Sequence, residues 1–452
     1  MRGLIGLLTS ETWLTVRPDG RQSERVIKAW DYDRDRTHLH LTLREDVYFQ
    51  DGTKLEPALA VEALANTAAH PADEGVLSFE SVKSVTASGP NGIEVELKEP
   101  NAFIVPDLSI IAVKKPDSDS IGTGPFRLVS RDDQGAHLSA FAKYYRGRPS
   151  VADITLTNYP TQRNAWAALM RGDIDMLYEV SREAVDFVAA ETTINTYTVP
   201  RPFYIPLVFN IRHPILKNRE VRKAINEALD RAALVRDGMN GRGRPAVNPI
   251  WPEHWAQSPS NPQFEYDPDG AKRRLDEAGF KERAGSAVSR FSFNCVVFAE
   301  DSRFERLALL VQKELADVGI DMRLVAVQEP DIEARLHKGD FDAVLFEMYG
   351  RSLSYAYDFW HSHPDARLNT GYTGADAVLD RIRASKSDDE MRAGVSAFAQ
   401  VLHEDPPAAF IAWQQASRAV STRFDVASEP GRDILSNAWQ WRLADARGQG
   451  SQ

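Results

Sequence analysis

Residues 38–43, HLHLTL, alternate apolar and polar without a break. That period places Leu39, Leu41 and Leu43 on one face of a strand and His38, His40 and Thr42 on the other. The strand leads to Asp51-Gly52, a turn signal, and Pro57 then opens a helix through Val61 and Leu64. From Arg219 the period changes. Val221, Ala224, Ile225, Ala228, Leu229, Ala232 and Val235 recur at helical steps, predicting one long amphipathic helix with an unbroken buried face. A strand that ends near Asn210 and a turn at Pro214 precede it. A helix over 162–170 should be capped by Gly172, with the next strand starting at Ile174. Asp267-Pro268 should start another helix and Gly279 end it.

Beyond residue 290 strands and helices alternate. A strand over 291–298 precedes a helix with Phe304, Leu307, Ala308, Val311, Leu315 and Val318 on one face, stopped by Gly319. Then come a strand over 320–327, a short helix near Glu333, a strand over 341–346, helices over 376–384 and 388–403, and a strand over 408–413. This alternation indicates an α/β lobe.

A chain of 452 residues exceeds one compact core and suits two or three lobes. A net charge of -11 disfavours a nucleic-acid partner, which needs a concentrated basic face. No run reaches the roughly 18 apolar residues of a membrane-spanning helix, and the opening MRGLIGLLTSETWL is a poor signal peptide. The single cysteine, Cys295, lies in an apolar strand and reads as a small buried residue, not an activated nucleophile.

Most enzyme motifs are absent: GxSxG, GxxxxGK[ST], HExxH, CxxC and a helix-opening GxGxxG do not occur. No cofactor is expected. His38 and His40 read as solvated strand positions. The segment Asp358-Phe-Trp-His361-Ser-His363-Pro-Asp365 could ligate a transition metal through imidazole. A polar loop is the blander reading, and we assign no metal.

Four segments, in order, carry a family likeness. They are Trp30 with Arg44-Glu45, Phe49 and Asp51-Gly52-Thr53; Gly122-Thr123-Gly124-Pro125-Phe126; Arg171-Gly172-Asp173-Ile174-Asp175; and Phe209-Asn210, Pro214, Val221-Arg222-Lys223-Ala224 and Leu229-Asp230-Arg231. Together they resemble the peptide/nickel class, family 5, of ABC-transporter solute-binding proteins. The resemblance implies a bilobal α/β fold of the periplasmic-binding-protein type II, with an extra small domain and two lobes joined by a hinge. Residues 1–120 would form the small domain, 121–212 with 421–452 the first lobe, and 213–420 the second, with crossings near 212 and 420. Family members begin with a signal peptide and a first-lobe strand, whereas this sequence starts near the corresponding Gly-Leu pair, Gly6-Leu7, which predicts an unpaired edge in that lobe.

The function implied is solute capture between two lobes and delivery to a membrane permease, without catalysis, by a monomer of the periplasm or cell envelope. A solute-sensing regulatory module, a receptor for a metal complex such as nickel, or an enzyme with a carboxylate pair are the alternatives. In peptide-binding members an aromatic residue, two small residues and an Asp follow a cleft strand, and the Asp takes the ligand ammonium. Here that stretch is Tyr349-Gly-Arg351-Ser352, so the Asp position holds Ser352. An ordinary free-amine peptide loses its anchor, while Arg351 can clamp a carboxylate, sulfonate or phosphate. The remaining candidate ligand residues are Tyr204, Trp251, Tyr355 and Trp413, for contact area with a polar tip, and Asn210 and Asn369, for hydrogen bonds.

Overall fold

A computed structural model describes the chain except residues 117, 119–120, 181–183, 283–288, 300–301, 365 and 445–452. The chain forms two compact units, Met1–Pro200 with Ala416–Gln452, and Arg201–Gln415. It passes between them inside two long strands, Ile194–Phe209 and Ala408–Ser421. The sequence reading set these crossings near 212 and 420, a few residues later than the division after Pro200 and Gln415, and it separated residues 1–120 from the rest of the first unit.

The first unit has two larger sheets, besides the two-stranded pairs Leu14–Val16 with Gln22–Glu24 and Phe424–Asp425 with Arg442–Leu443. Ile27–Tyr32, His38–Leu43, Gly92–Leu97 and Val82–Ser88 pair antiparallel in that spatial order. Leu39, Leu41 and Leu43 are buried on one face as the alternation required. They pack with Ala60 and Leu64 of the helix Pro57–Ala69. On the other face His38 Nδ1 lies 3.2 Å from Asp33 and His40 Nδ1 lies 3.1 Å from Glu94, so each imidazole has its own carboxylate.

The second sheet of this unit joins Phe126–Arg131, Gly135–Ala140 and Asp153–Thr157. Its entry is the Gly122-Thr-Gly124 turn, where a Cβ on either glycine would collide with the Thr9 backbone. Buried Gln50 locks this turn. Its amide donates to Thr9 O at 2.7 Å and Phe126 O at 2.6 Å, and its oxygen accepts from Gly122 N at 3.2 Å. The helix Gln162–Arg171 follows, N-capped by Thr161 and ended by Gly172 at φ 76°.

In the second unit Phe291–Phe298 pairs parallel with both Ile320–Val327 and Ala343–Leu345, and the latter pairs antiparallel with Leu207–Phe209. Phe291, Phe293, Cys295 and Val297 meet Phe304, Leu307, Val311 and Leu315 of the helix Ser302–Asp317 in one core. Burial raises the pKa of the Cys295 thiol, in keeping with an inert packing residue. Residues 341–346 form a shorter strand than expected, Ala343–Leu345, followed by Met348–Tyr349. The short helix near Glu333 spans Glu329–Lys338.

The single long helix from Arg219 is not found. The helix runs Arg219–Glu227, stops, and restarts at Arg231 behind Asp230, whose side chain caps Ala233 N at 2.9 Å. The cause is Arg231. Its buried guanidinium donates to Phe410 O at 2.6 Å, Asn226 O at 3.0 Å and Asn226 Oδ1 at 2.7 Å, so it needs carbonyls that a continuing helix would consume. The break rotates the following turn, and Ala232, expected on the buried face, is exposed.

Candidate functional site

The aromatic candidates converge in the unit Arg201–Gln415. Tyr349 stands opposite Phe203, and Met348 opposite Tyr204, in an antiparallel pair. The Phe203 and Tyr349 rings meet edge to face at 5.4 Å. The chain then lies flat on two rings: a Cβ at Gly350 would sit 2.5 Å from Trp413 Cη2 and 2.8 Å from the Tyr204 ring. Only glycine permits that approach.

Arg351 and Ser352 follow. The Ser352 hydroxyl N-caps the helix Leu353–Trp360 through Ser354 N at 3.4 Å and shares a hydrogen bond with Ser354 Oγ at 2.9 Å. That helix returns Tyr355 to within 4.5 Å of the Tyr349 ring. Arg351 places its guanidinium 5.9 Å from the Trp251 ring centre, and Trp251 meets Trp413 edge-on at 5.2 Å. Burial lowers the pKa of Arg351, with Tyr349 opposing that shift. At the surface stand Tyr349, Arg351, Ser352 and Tyr355, all half-buried.

Beneath them Tyr204, Trp251 and Trp413 are buried. The Tyr204 hydroxyl accepts from Trp360 Nε1 at 3.2 Å, and burial raises its pKa. These rings form a floor that fixes the outer groups.

Sequence reasoning missed a polar group on this face. Arg201 stacks on Phe203 at 5.2 Å and donates to Gln414 Oε1 at 3.0 Å. Gln414 in turn donates to Glu347 Oε2 at 2.7 Å, and Arg201 lies 3.6 Å from that carboxylate. The available signal was spacing in extended chain: Glu347 precedes Tyr349 by two residues, as Arg201 precedes Phe203.

Asn210 and Asn369 belong to another cluster. Asn210 Nδ2 donates to Gly339 O at 3.1 Å and Phe341 O at 2.7 Å, and its Oδ1 accepts from Arg212 N at 3.1 Å. Asn369 Oδ1 accepts from Arg212 Nη1 at 2.8 Å while its Nδ2 donates to His337 O at 3.0 Å. Asn210 follows Tyr204 by six positions along an extended chain, roughly 20 Å at the usual strand rise. Both amides serve loop geometry and are not brought to the aromatic face.

His361 and His363 stack on Tyr357, with ring centres at 4.4 and 5.4 Å, and His361 Nε2 lies 3.5 Å from Asp380. Asp365 lies outside the described residues. Among the described residues no three His, Cys, Asp or Glu side chains are grouped to hold a metal.

Residues 23–366 match the family model described as bacterial extracellular solute-binding proteins, family 5 Middle. The chain is similar to the oligopeptide-binding protein AppA of Bacillus subtilis (strain 168), 27% identical over 355 residues, covering 73% of this chain and 63% of that relative. It thus spans less than two thirds of the relative's length. Among solved structures it resembles NikZ from Campylobacter jejuni in complex with Ni(L-His), with TM-score 0.80, 20% identity and coverage of 96% of this chain and 94% of that one. It also resembles AgaA from A.tumefacien R10 in complex with agropinic acid, with TM-score 0.78, 20% identity and coverage of 98% and 94%. At these identities the structural likeness establishes the bilobal fold of that group.

Proposed function

Because the chain belongs to family 5 of the bacterial extracellular solute-binding proteins, we propose that it captures a small solute outside the cytoplasm on the aromatic face of the unit Arg201–Gln415 and hands it, chemically unchanged, to the permease of an ABC importer. The solute is one with an anionic group and no need of an ammonium anchor. The juxtaposition of Arg351 and Ser352 in the loop after Tyr349 carries this reading. That loop offers a guanidinium and a hydroxyl between aromatic rings, and it contains no carboxylate. The carboxylate closest in sequence, Glu347, is engaged by Gln414 and Arg201. A bound ammonium would be desolvated without a counter-ion, whereas a carboxylate, sulfonate or phosphate can take paired N–H donors from Arg351. The half-buried rings of Tyr349 and Tyr355, in contact with each other, supply apolar surface beside those donors.

The test uses two tripeptide probes of one sequence, followed by tryptophan fluorescence. One is N-acetylated with a free carboxylate, and the other has a free amine and an amidated carboxyl. Wild type should bind the first preferentially, and Arg351→Met should weaken it by roughly 10- to 150-fold, the loss of about 1.5–3 kcal/mol expected for hydrogen bonds to a charged group. Equal binding of both probes, or an Arg351→Met variant that binds the carboxylate probe unchanged, would overturn the anionic-solute reading. Native mass spectrometry of the purified protein gives an independent identification of any retained solute.

A further inference from the structure

A second polar pocket lies within the other unit, among residues outside the face just described. Tyr144 and Tyr145 are adjacent, and their rings meet edge to face at 5.1 Å. The Tyr144 hydroxyl donates to buried Glu11, which also holds Arg25. Tyr145 lines a pocket of about 470 Å³ together with Arg17, Arg25, Arg44, Arg146 and Arg432. Ser23, Thr15, Glu24 and Glu429 complete its polar wall.

Four of the five arginines already have carboxylates: Arg17 with Asp19, Arg25 with Glu11, Arg44 with Asp46 and Arg432 with Glu429. Arg432 also donates to Thr15 Oγ1 and Val16 O, and the Glu24 carboxylate acts on Arg44. Arg146 has no ion pair among the described residues. Its guanidinium lies over the Trp439 ring at 4.8 Å, and its Nη1 is buried with no hydrogen-bond partner among the described residues. The Tyr145 hydroxyl is likewise buried without a hydrogen-bond partner among the described residues, and the Arg44 guanidinium lies over its ring at 5.1 Å. Two side chains next to each other in sequence thus bring two unmet donors to one pocket wall, one of them cationic.

A group that meets both must accept hydrogen bonds and tolerate positive charge around it. We propose that this pocket is an anion site taking a small oxyanion, carboxylate or phosphate, between Arg146 Nη1 and the Tyr145 hydroxyl. The four arginine–carboxylate pairs fix the wall, and Glu24, which also lines the pocket, offsets part of the remaining positive charge, so the anion is selected by the two unmet donors rather than by excess charge. This assignment does not depend on the solute proposed for the other unit, because no residue is shared.

The experiment is isothermal titration of the full chain with inorganic phosphate and, separately, with acetate, against potassium chloride at matched ionic strength. Wild type is compared with Arg146→Met, which keeps an unbranched side chain over Trp439, and Tyr145→Phe, which keeps the ring. Saturable one-to-one binding of phosphate or acetate, weakened about tenfold or more in Arg146→Met and measurably in Tyr145→Phe, supports the site. Whichever anion binds more tightly identifies the source. Heats matching those of chloride, or affinities equal in wild type and both variants, overturn it. Melting temperatures in chloride alone check that both variants fold, and if one does not, the other still decides the outcome.

Discussion

Glu314 shows how one side chain links local geometry to pH. Its Oε2 accepts from Asp230 N at 2.9 Å at the helix break, and partial burial pushes its pKa from 4.5 up to about 7. The neighbouring Asp230 and Asp317 carboxylates push the same way. A carboxyl whose folded pKa is raised stabilises the fold fully below the unfolded value, and that contribution is lost as pH rises through the folded value. Stability should therefore decline between about pH 4.5 and 7. Glu314→Gln keeps an acceptor for Asp230 N and removes the charge. Melting at pH 8 should show the variant more stable than wild type by about 1 kcal/mol, a figure reduced for solvent screening of a half-exposed group. At pH 4 the two should coincide; a variant less stable at pH 8 would refute the assignment. Arg222 makes the opposite case. Buried, it donates to Pro406 O at 2.8 Å and Leu216 O at 2.6 Å and pairs with Asp405. Arg222→Met strips donors from both carbonyls and should cost about 3 kcal/mol in urea unfolding. A loss below about 1 kcal/mol would mean that water replaces the guanidinium.

At the scale of elements, the periodic segments were legible and the interrupted ones were not. The strand over 291–298 follows from an apolar run and the helix after it from a period-3.6 face, with Gly319 at φ 85° as the stop before the strand over 320–327. The helix from Arg219 failed because its apolar spacing continues across Asp230 while its polar groups do not. Periodicity counts apolar faces, but an arginine that seeks carbonyls from a distant strand leaves no periodic trace. Asp230→Ala should accordingly cost about 1 kcal/mol in thermal unfolding through the lost cap. The candidate site divides along the same line. Tyr204 and Trp251 each meet Trp413, and Phe203 meets Tyr349, across distant stretches of the chain, whereas Asn210 and Asn369 looked available only because their backbone partners, Gly339, Phe341 and His337, lie more than a hundred or thirty residues away. The strand Asp153–Thr157 presents another element-level case. It pairs with Gly135–Ala140 on one side, and its other side borders a groove lined by Leu4, Leu8, Met176 and Trp441. Alternate amides of an antiparallel edge point away from the partner. Hydrogen exchange should thus show a fast–slow alternation along 153–157, absent from Cys295–Val297, which are paired on both sides. Uniform protection along the five residues would mean that the outer edge is covered.

For the whole molecule, the two units differ in how the sequence builds them. Arg201–Gln415 is one continuous stretch, and every member of its largest buried cluster lies between Ile205 and Ala412. The other unit needs two separated segments, since Ile5, Phe126 and Leu138 share a core with Ile434 and Trp441. Continuity allows a core to close without bringing distant chain ends together, which lowers the loop-closure cost of folding. A fragment limited to residues 201–415 should therefore fold cooperatively, with helix and strand signatures in circular dichroism and a single calorimetric transition. Its melting point should lie below that of the full chain, because the cut leaves the strands Ile194–Phe209 and Ala408–Ser421 with frayed ends. The fragment also retains Tyr204, Trp251, Tyr349, Arg351 and Trp413 on one set of elements. A carboxylate probe that raises the melting temperature of the full chain should raise that of the fragment by less, because stabilisation follows affinity through mass action. A fragment that folds yet gains nothing from the probe would separate the folding argument, which would stand, from the placement of the solute on this unit, which would not.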